Sequence, residues 1–547
     1  MKASGRPGIL TGAAVGAMLT AALIAVFFAA WRVAGLPFAP FDVFDWLTRV
    51  LPGRVIAFGI SSMVAVIRGL GLGPTSVVAK AVEQAMGIAG LFFTGVGGGA
   101  VLFGILRRLR GRYVYPLTAA MGLVVGVPVM FISRHLSHTS ALSPAVSAFW
   151  ILALFVVWGV AFGWVHRRLS AAGTATVPLE EVAPAWQASA ARIDRRRFLI
   201  RLGGATAAVT VGGAIVGALS PGRRRGQAVS TSELRWSASH LLPNAGATVQ
   251  PAPGTRAEFT PLEQHYRIDI NTVPPRIDGQ QWRLKIGGLV DKPLALTLDE
   301  IRRHEPLHQF ITLSCISNPV GGDLTGTTRW TGVSLQRLLP ELGLRPEATH
   351  LKISSADGFY EIVPLEVVRS DERVMLAYAW DGVPLPAEHG FPLRIYIPDV
   401  YGMKQPKWIE SVAATDHWEP GYWVVRGWDQ VARMKATSVI DTVAAEATFP
   451  GSGGETLVPI GGIAHAGARG ISKVELQVDG GPWQPAELRA PLSDLTWVIW
   501  RYDWPFQSGA HTFTVRCWDG AGTPQIVTPS PPEPSGASGL HIRRQRL

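Results

Sequence analysis

Five predominantly apolar segments, at roughly 9–35, 84–106, 113–133, 145–166 and 198–220, limit what the first 220 residues can become. A helix needs about 20 such residues to cross a bilayer, and in lipid its backbone polar groups must be satisfied internally. Residues 1–220 therefore read as an all-α transmembrane bundle of about five helices. The stretch 54–70 is interrupted by Arg54 and Arg68. With the amphipathic run Phe41–Leu51 before it, it reads as interfacial or re-entrant. Gly95-x-x-x-Gly99 is a spacing that lets helix backbones approach closely. His135 and His138 share a helix face at the outer end of the third segment, but a haem-binding bundle wants histidines deeper and on facing helices.

Charge orients these segments. Much of the basic excess behind the net charge of +11 lies in three flanking clusters, Arg107–Arg112, His166–Arg168 and Arg195–Arg197. With Lys2 and Arg6 inside, five crossings make all three clusters cytoplasmic and place everything after about residue 221 outside. Arg223–Arg225 then falls on the outer side, which the rule tolerates beside a large exported domain. The pair Arg195-Arg196 stands directly before the apolar run that begins at Phe198, the pattern of a twin-arginine export address. That route carries folded cargo, so it predicts a domain that folds around a cofactor before crossing. The competing reading is an ordinary basic flank of a membrane helix. No face interleaves aromatic and basic residues, which argues against a nucleic-acid partner.

Beyond the last apolar segment the chain reads as soluble protein. Residues 221–258, rich in Gly, Ser, Pro and Ala, read as a linker. From 259 to 432 helix and strand signals mix irregularly, which argues for α+β. Trp282–Ile286 alternates as a strand, and Thr297 with Glu300 forms a capping-box pattern for a short helix. Phe310–Cys315 reads as a buried strand ending at the turn Asn318–Gly322. From 433 to 528 the pattern is all-β: Val474–Val478 and His511–Cys517 alternate strictly, as in a small sandwich. The tail 529–547, rich in Pro, Ser and Gly with a basic end, reads as disordered. Only two cysteines are present, which excludes a disulfide scaffold. Cys517 shares a strand face with Phe513 and Val515 and reads as a core thiol. Cys315 alone is ambiguous between core packing, nucleophile and metal ligand.

The residues around Cys315 narrow that choice. The ordered set Gly287-Gly288-Leu289-Val290, Leu296–Ile301, Leu313-Ser314-Cys315, Arg329–Val333, Leu376-Ala377-Tyr378, Asp381–Pro386, His389–Arg394 and Tyr401-Gly402-x-Lys404-x-x-Lys407-Trp408 resembles the sulfite oxidase family. The resemblance spans about Tyr266 to Pro524. It implies a molybdenum–molybdopterin cofactor with Cys315 as the thiolate on the metal, a ligand suited to a redox-active metal. It implies that Lys404 and Lys407 lie near the pterin phosphate and that Tyr360 is an active-site tyrosine. Arg267, His389 and Arg394 become candidate cofactor contacts. It also implies an immunoglobulin-like C-terminal domain and a homodimer formed through it.

One departure concerns substrate. The resemblance implies an arginine after the molybdenum cysteine, where it helps hold dianionic sulfite; here the loop is Ile316-Ser317-Asn318-Pro319-Val320. Losing a cation from a desolvated anion site is costly, so sulfite is disfavoured. No haem-domain His-Pro-Gly-Gly segment is present, so electrons must pass to a separate carrier. The expectation is a multi-pass oxidoreductase of a bacterial plasma membrane, its catalytic domain outside, transferring an oxygen atom to or from a small molecule. The alternatives are an S- or N-oxide reductase of the same fold, and a non-catalytic envelope module.

Overall fold

A computed structural model describes residues 7–108, 111–136, 143–171, 185–220 and 234–547, with side chains in the last of the apolar helices from Arg196 onward. Lys2, Arg6, Arg110, His138, Arg223–Arg225 and the side chain of Arg195 lie outside them.

The apolar segments form α1 (Ile9–Ala34), α4 (Thr75–Leu106), α5 (Val114–Leu136), α6 (Pro144–Ala171) and α7 (Ala185–Leu219), joined after α1 by α2 (Ala39–Val50) and α3 (Gly53–Gly69). Among the described residues five helices are long and apolar enough to cross a membrane; α2 and α3, bent by 119° at a break, count as a sixth candidate only if taken together. The chain divides into two compact units, and they do not follow the linear boundary near residue 220. One comprises residues 1–51, 80–225 and 270–276; the other comprises 52–79, 226–269 and 277–547.

In the first unit, small residues let backbones meet. Gly95 of α4 lies against Thr20 of α1, and Gly99 against the carbonyl of Gly12, so a side chain at either glycine has no room. Gly122 of α5 and Gly159 of α6 pack reciprocally on the backbones of Phe155 and Thr118. Trp158 Nε1 donates to Thr20 Oγ1 at 3.1 Å. Ile270–Arg276 joins this unit through polar contacts. Thr272 N–H donates to Asp45 Oδ1 at 2.9 Å, Arg49 to Asn271 Oδ1 at 2.7 Å and Lys80 to the Asn271 carbonyl at 3.0 Å.

The second unit holds two sheets followed by a sandwich. Strands β1 (Leu284–Gly288), β2 (Leu294–Leu296), β5 (His350–Ser355), β6 (Tyr360–Pro364) and β10 (Ile409–Thr415) form a sheet of order β2-β1-β10-β5-β6, with β1 and β10 parallel. Strands β3 (Leu307–Ser314), β4 (Thr325–Ser334), β7 (Met375–Trp380) and β8 (Val383–Pro384) follow one another in a second sheet, and β9 (Arg394–Tyr396) pairs with β7. Thr297 caps the short helix Leu298–Arg302 with the reciprocal bonds its spacing predicts. The sandwich pairs β11 (Thr437–Val443), β13 (Thr456–His465), β17 (Val498–Pro505) and β16 (Glu487–Leu488), with β12 (Phe449–Pro450) on β13, in one sheet. Its other sheet runs β15 (Gln484–Pro485), β14 (Ile471–Val478), β18 (Ala510–Asp519) and β19 (His541–Arg546). Ile460 and Trp500 from the first sheet meet Leu476, Phe513, Val515 and Cys517 from the second in one buried core. Both cysteines are free.

Two expectations are corrected here. The tail is ordered rather than disordered: residues 541–546 pair with β18, because their alternating side chains suit an edge strand despite the Pro/Gly-rich approach. Within the segment read as a linker, residues 234–258 are strapped to the folded unit. Ser237 Oγ donates to Asp381 at 2.7 Å, and Arg489 grips Glu258 at 3.0 Å and the Val249 carbonyl at 2.7 Å. Composition alone hid these anchors because each depends on a partner more than 140 residues away. Truncation before His541 strips β18 of its edge ladder. It should lower the sandwich's melting temperature by roughly 5 °C or more, read by differential scanning calorimetry; unchanged melting would contradict an integral β19.

Candidate active site

Cys315 is placed by the ladder it terminates. Strand β3 pairs along its whole length with β4, from Leu307 opposite Gly332 to Ser314 opposite Thr325. The next residue leaves the sheet but stays tied to it, since Cys315 N–H donates to the Leu324 carbonyl at 2.9 Å. Asn318 closes the loop: its N–H donates to the Cys315 carbonyl at 3.1 Å, and its Oδ1 accepts from Leu324 N–H at 3.0 Å. The thiol is buried, with Sγ 2.9 Å from Ser317 Oγ. Burial raises its pKa above the ordinary thiol value, an effect that Ser317 partly offsets. A buried neutral thiol of this kind becomes a thiolate readily only beside a cation such as a metal.

Two tyrosines lie within electrostatic reach of that sulfur. Burial, and then the Cys315 charge, raise the Tyr266 hydroxyl well above its usual value, and burial also raises Tyr401. Gly402 packs closely here: a Cβ there would sit 3.1 Å from the Tyr266 hydroxyl and 3.4 Å from the Ser314 carbonyl. The loop carrying Lys404 and Lys407 thus approaches the end of β3 directly.

Beside Cys315 is a pocket of buried positive charge. Arg394 opens β9 and is only 3% exposed, its guanidinium carbon 4.6 Å from the Trp330 ring centre and 5.0 Å from that of Trp380. One of its nitrogens donates to the His389 carbonyl at 3.0 Å, while Nε is buried without a hydrogen-bond partner. Among the described residues Arg394 forms no ion pair. Desolvation draws it down to about 9, still charged at neutral pH. Lys407 lies 3.2 Å from Asp269 and 4.2 Å from the centre of the Trp408 ring. Arg267 reaches the same carboxylate at 2.6 Å, so Asp269 serves two cations. His265 and His389 stand beside them with ring centres 5.5 Å apart. Burial, with neighbouring positive charges, lowers His265 to about 4 and His389 well below its ordinary value, so both stay neutral.

The expected residues divide into groups. Arg267, His389, Arg394 and Lys407 share this charged cluster: His389 feels all three cations, and Lys407 feels both arginines. Lys404 instead pairs with Glu361 at 2.8 Å, a carboxylate whose pKa burial raises. Tyr360 opens β6 next to Glu361, with Lys352 5.2 Å above its ring and Tyr422 6.4 Å away. The sequence reading missed His265, Tyr266, Asp269, Tyr401, Trp330 and Trp380 as site residues. The run His265-Tyr266-Arg267-Ile268-Asp269 carried a usable signal, since ionisable and aromatic residues crowd into five positions. The tryptophans carried none, because a tryptophan in a strand is as readily explained by packing.

A pocket in which Arg267, Arg394 and Lys407 face the carboxylates of Asp269 and Asp357, with an arginine nitrogen left unpaired, fits an anionic group such as the phosphate of a pterin cofactor. The comparisons bear on the same residues. A family described as "Oxidoreductase molybdopterin binding domain" matches residues 270–423. The uncharacterized oxidoreductase YuiH of Bacillus subtilis is 31% identical over 29% of this chain and 79% of its own length. Mitochondrial sulfite oxidase of Macaca fascicularis is 27% identical, covering 55% of this chain and 65% of its own. An inducible NADH nitrate reductase of Glycine max is 26% identical over 48% of this chain and 36% of its own. The chain thus spans just under two thirds of the monkey enzyme's length. Among solved structures, the sulfane dehydrogenase SoxCD of Paracoccus pantotrophus aligns with a TM-score of 0.47 at 22% identity, covering 55% of this chain and 86% of that one. The chain belongs to the sulfite oxidase family of molybdopterin-dependent oxidoreductases.

Lys407 gives a pH test of the pocket. Burial lowers it from 10.5 to about 8, with Asp269 acting in the opposite direction. Between those values the unfolded chain binds more protons than the folded one, so this group makes stability rise with pH from about 8 to 10.5. Denaturant titrations of cofactor-free protein across that window should show a smaller rise in Lys407→Met than in wild type. Parallel curves would mean that Lys407 is not held in this desolvated state.

Proposed function

We propose that this chain is a membrane-anchored molybdenum–molybdopterin oxidoreductase whose catalytic domain faces outward from a bacterial plasma membrane. It exchanges an oxygen atom between water and a small substrate. The observation that carries the reading is the meeting of a buried thiol at a strand end with a buried, under-neutralised cation cluster. A soft metal ligand and an anion cradle side by side match the two ends of this cofactor.

When bound, molybdenum would supply the two-electron redox change and the oxygen transfer. The protein's part is position and charge. Cys315 would ligate the metal as a thiolate. Lys404, Lys407, Arg267 and Arg394 would offset the pterin phosphate, and neutral His389 would hydrogen-bond within the cofactor pocket without adding charge. Tyr360 would hold a substrate oxygen. In the oxidising direction, water provides the oxygen, two protons are released and two electrons leave to a separate carrier. The absence of arginine after Cys315 favours a neutral oxide or another small molecule over sulfite. Asn318, which occupies part of that loop, is already committed to closing it. An S- or N-oxide reductase is accordingly the second reading, supported by the same residue pattern.

The membrane placement draws on the five apolar helices and on the basic clusters between them. A β-sandwich of immunoglobulin type that pairs two copies completes the proposed architecture.

Metal analysis and spectroscopy test the core claim. Wild type should purify with molybdenum, and Cys315→Ser should alter the molybdenum–sulfur signal in X-ray absorption; an unaltered signal would remove Cys315 from the metal. Loss of one cationic contact, as in Lys407→Met, should weaken cofactor retention about tenfold or more. A viologen-driven oxide panel set against a sulfite assay separates the two directions, and rapid sulfite turnover would overturn the substrate argument. Replacing Arg195-Arg196 with two lysines should leave the first four apolar helices inserted and the catalytic half protected from external protease. Normal exposure in that variant would refute twin-arginine export.

A further inference from the structure

Pro52–Ala79 lies in sequence among the apolar helices but belongs to the compact unit of the catalytic sheets. Three contacts account for this. Arg68 donates to the carbonyl of Gly321 at 3.2 Å. The N–H of Thr75, the first residue of α4, donates to Asp323 Oδ2 at 2.7 Å. Gly53 opens α3 against the backbone of Arg426, where an added Cβ would fall 2.6 Å from the Arg426 Cα. The first two contacts grip the loop that begins at Cys315, and the third meets the turn of Val424–Arg426. These two regions are joined. Ile316, next to the cysteine, packs in one cluster with Tyr401, Met403 and Trp428, and Trp423 and Val424 border it.

The loop needs such support. Its own bonds tie Cys315 to Leu324 and Asn318 to both, but its far side is Gly321-Gly322-Asp323, with Gly321 at φ +76°. Paired glycines leave a backbone with wide freedom. Within the loop Gly322 N–H donates to the Pro319 carbonyl at 2.8 Å; from outside, Arg68 and Thr75 bond that side and the His541 ring lies against Gly321. The Asp323 carboxylate at the start of a 32-residue helix is also favourably placed against the helix dipole.

We infer that Pro52–Ala79 is a positioning element of the active site, which clamps the Cys315–Leu324 loop through Arg68 and Thr75 and so fixes how the thiolate is presented. This rests on Cys315 being the metal ligand. Arg68, Thr75 and Asp323 are positioning residues; none touches the reacting atoms. The apolar region then does more than tether the enzyme. The clamp's contacts fall on the cysteine loop and on the turn at Arg426, so the clamp governs thiolate geometry and not cofactor retention.

The test uses full-length protein in detergent. In the double variant Arg68→Ala/Asp323→Ala, hydrogen exchange of the loop amides, read at Gly322 and Leu324, should quicken about tenfold or more. Molybdenum content should match wild type, while the Mo(V) electron paramagnetic resonance signal broadens or shifts. Asp323→Asn keeps an oxygen acceptor for Thr75 and should restore both readouts when Arg68 is intact. Arg68→Gln changes an exposed side chain that the fold tolerates, so it supplies the measurement should the double variant fail to accumulate. Its loop exchange should quicken at Gly322. Wild-type exchange in both the double variant and Arg68→Gln would overturn the inference, as would faster exchange in the double variant with an unchanged resonance signal. Cys315→Ser, run in parallel, separates the two claims. If it leaves the resonance signal intact the ligand assignment fails, whatever the exchange data show.

Discussion

Positive charge held away from water is the condition around which the catalytic half is organised. Moving an ion from water into a protein interior costs several kcal/mol unless its surroundings replace the lost solvation. Arg394, Arg267 and Lys407 meet that requirement with two carboxylates, Asp269 and the Asp357 that acts on Lys407, together with carbonyls and ring faces. The demand brings distant parts of the chain together: the run before β1, the tryptophans of β4 and β7, the start of β9 and the loop before β10. It also keeps His265 and His389 neutral, since protonating either would add charge to a region that already has a surplus. A pocket built this way is tuned to an anion.

The cysteine is positioned by different physics. A full antiparallel ladder delivers Cys315 to the edge of a sheet, and side-chain and backbone bonds within the following loop hold it there. Cation cluster and thiol meet because Gly402 permits the loop of Lys404 and Lys407 to lie against Tyr266 and Ser314. The two compact units are likewise interleaved in sequence. Residues 52–79 serve the catalytic unit, and residues 270–276 serve the helical one. A boundary drawn where composition changes therefore divides the chain by solvent preference, not by packing.

What could be read in advance follows from how local each signal is. The long helices, the capping box at Thr297, the glycine spacing at Gly95 and Gly99 and the shared face of Phe513, Val515 and Cys517 all arise from periodicities within a few residues. The cationic cofactor candidates were legible because the landmark motifs carry them. The ordered tail and the strapped segment 234–258 were not, because a Gly/Pro-rich composition speaks only of local flexibility. Arg489, far along the chain, decides whether the segment around Asn244 and Val249 is fixed. Tyr401 escaped notice for a similar reason, since nothing in an isolated tyrosine reveals the charge beside it.

The sequence by itself determined the apolar helices, the β-rich nature of the second half, the family and the residue types from which a metal and phosphate site could be made. Each of these depends on pattern or on an ordered set of motifs, which survive without coordinates. Tertiary structure alone decided that Asp269 is shared by two cations, that Arg394 is buried against two tryptophans, and that Arg68 and Thr75 bind the loop of Cys315. Those are properties of desolvation and of distance between residues far apart in the chain, and neither quantity exists until the chain has folded.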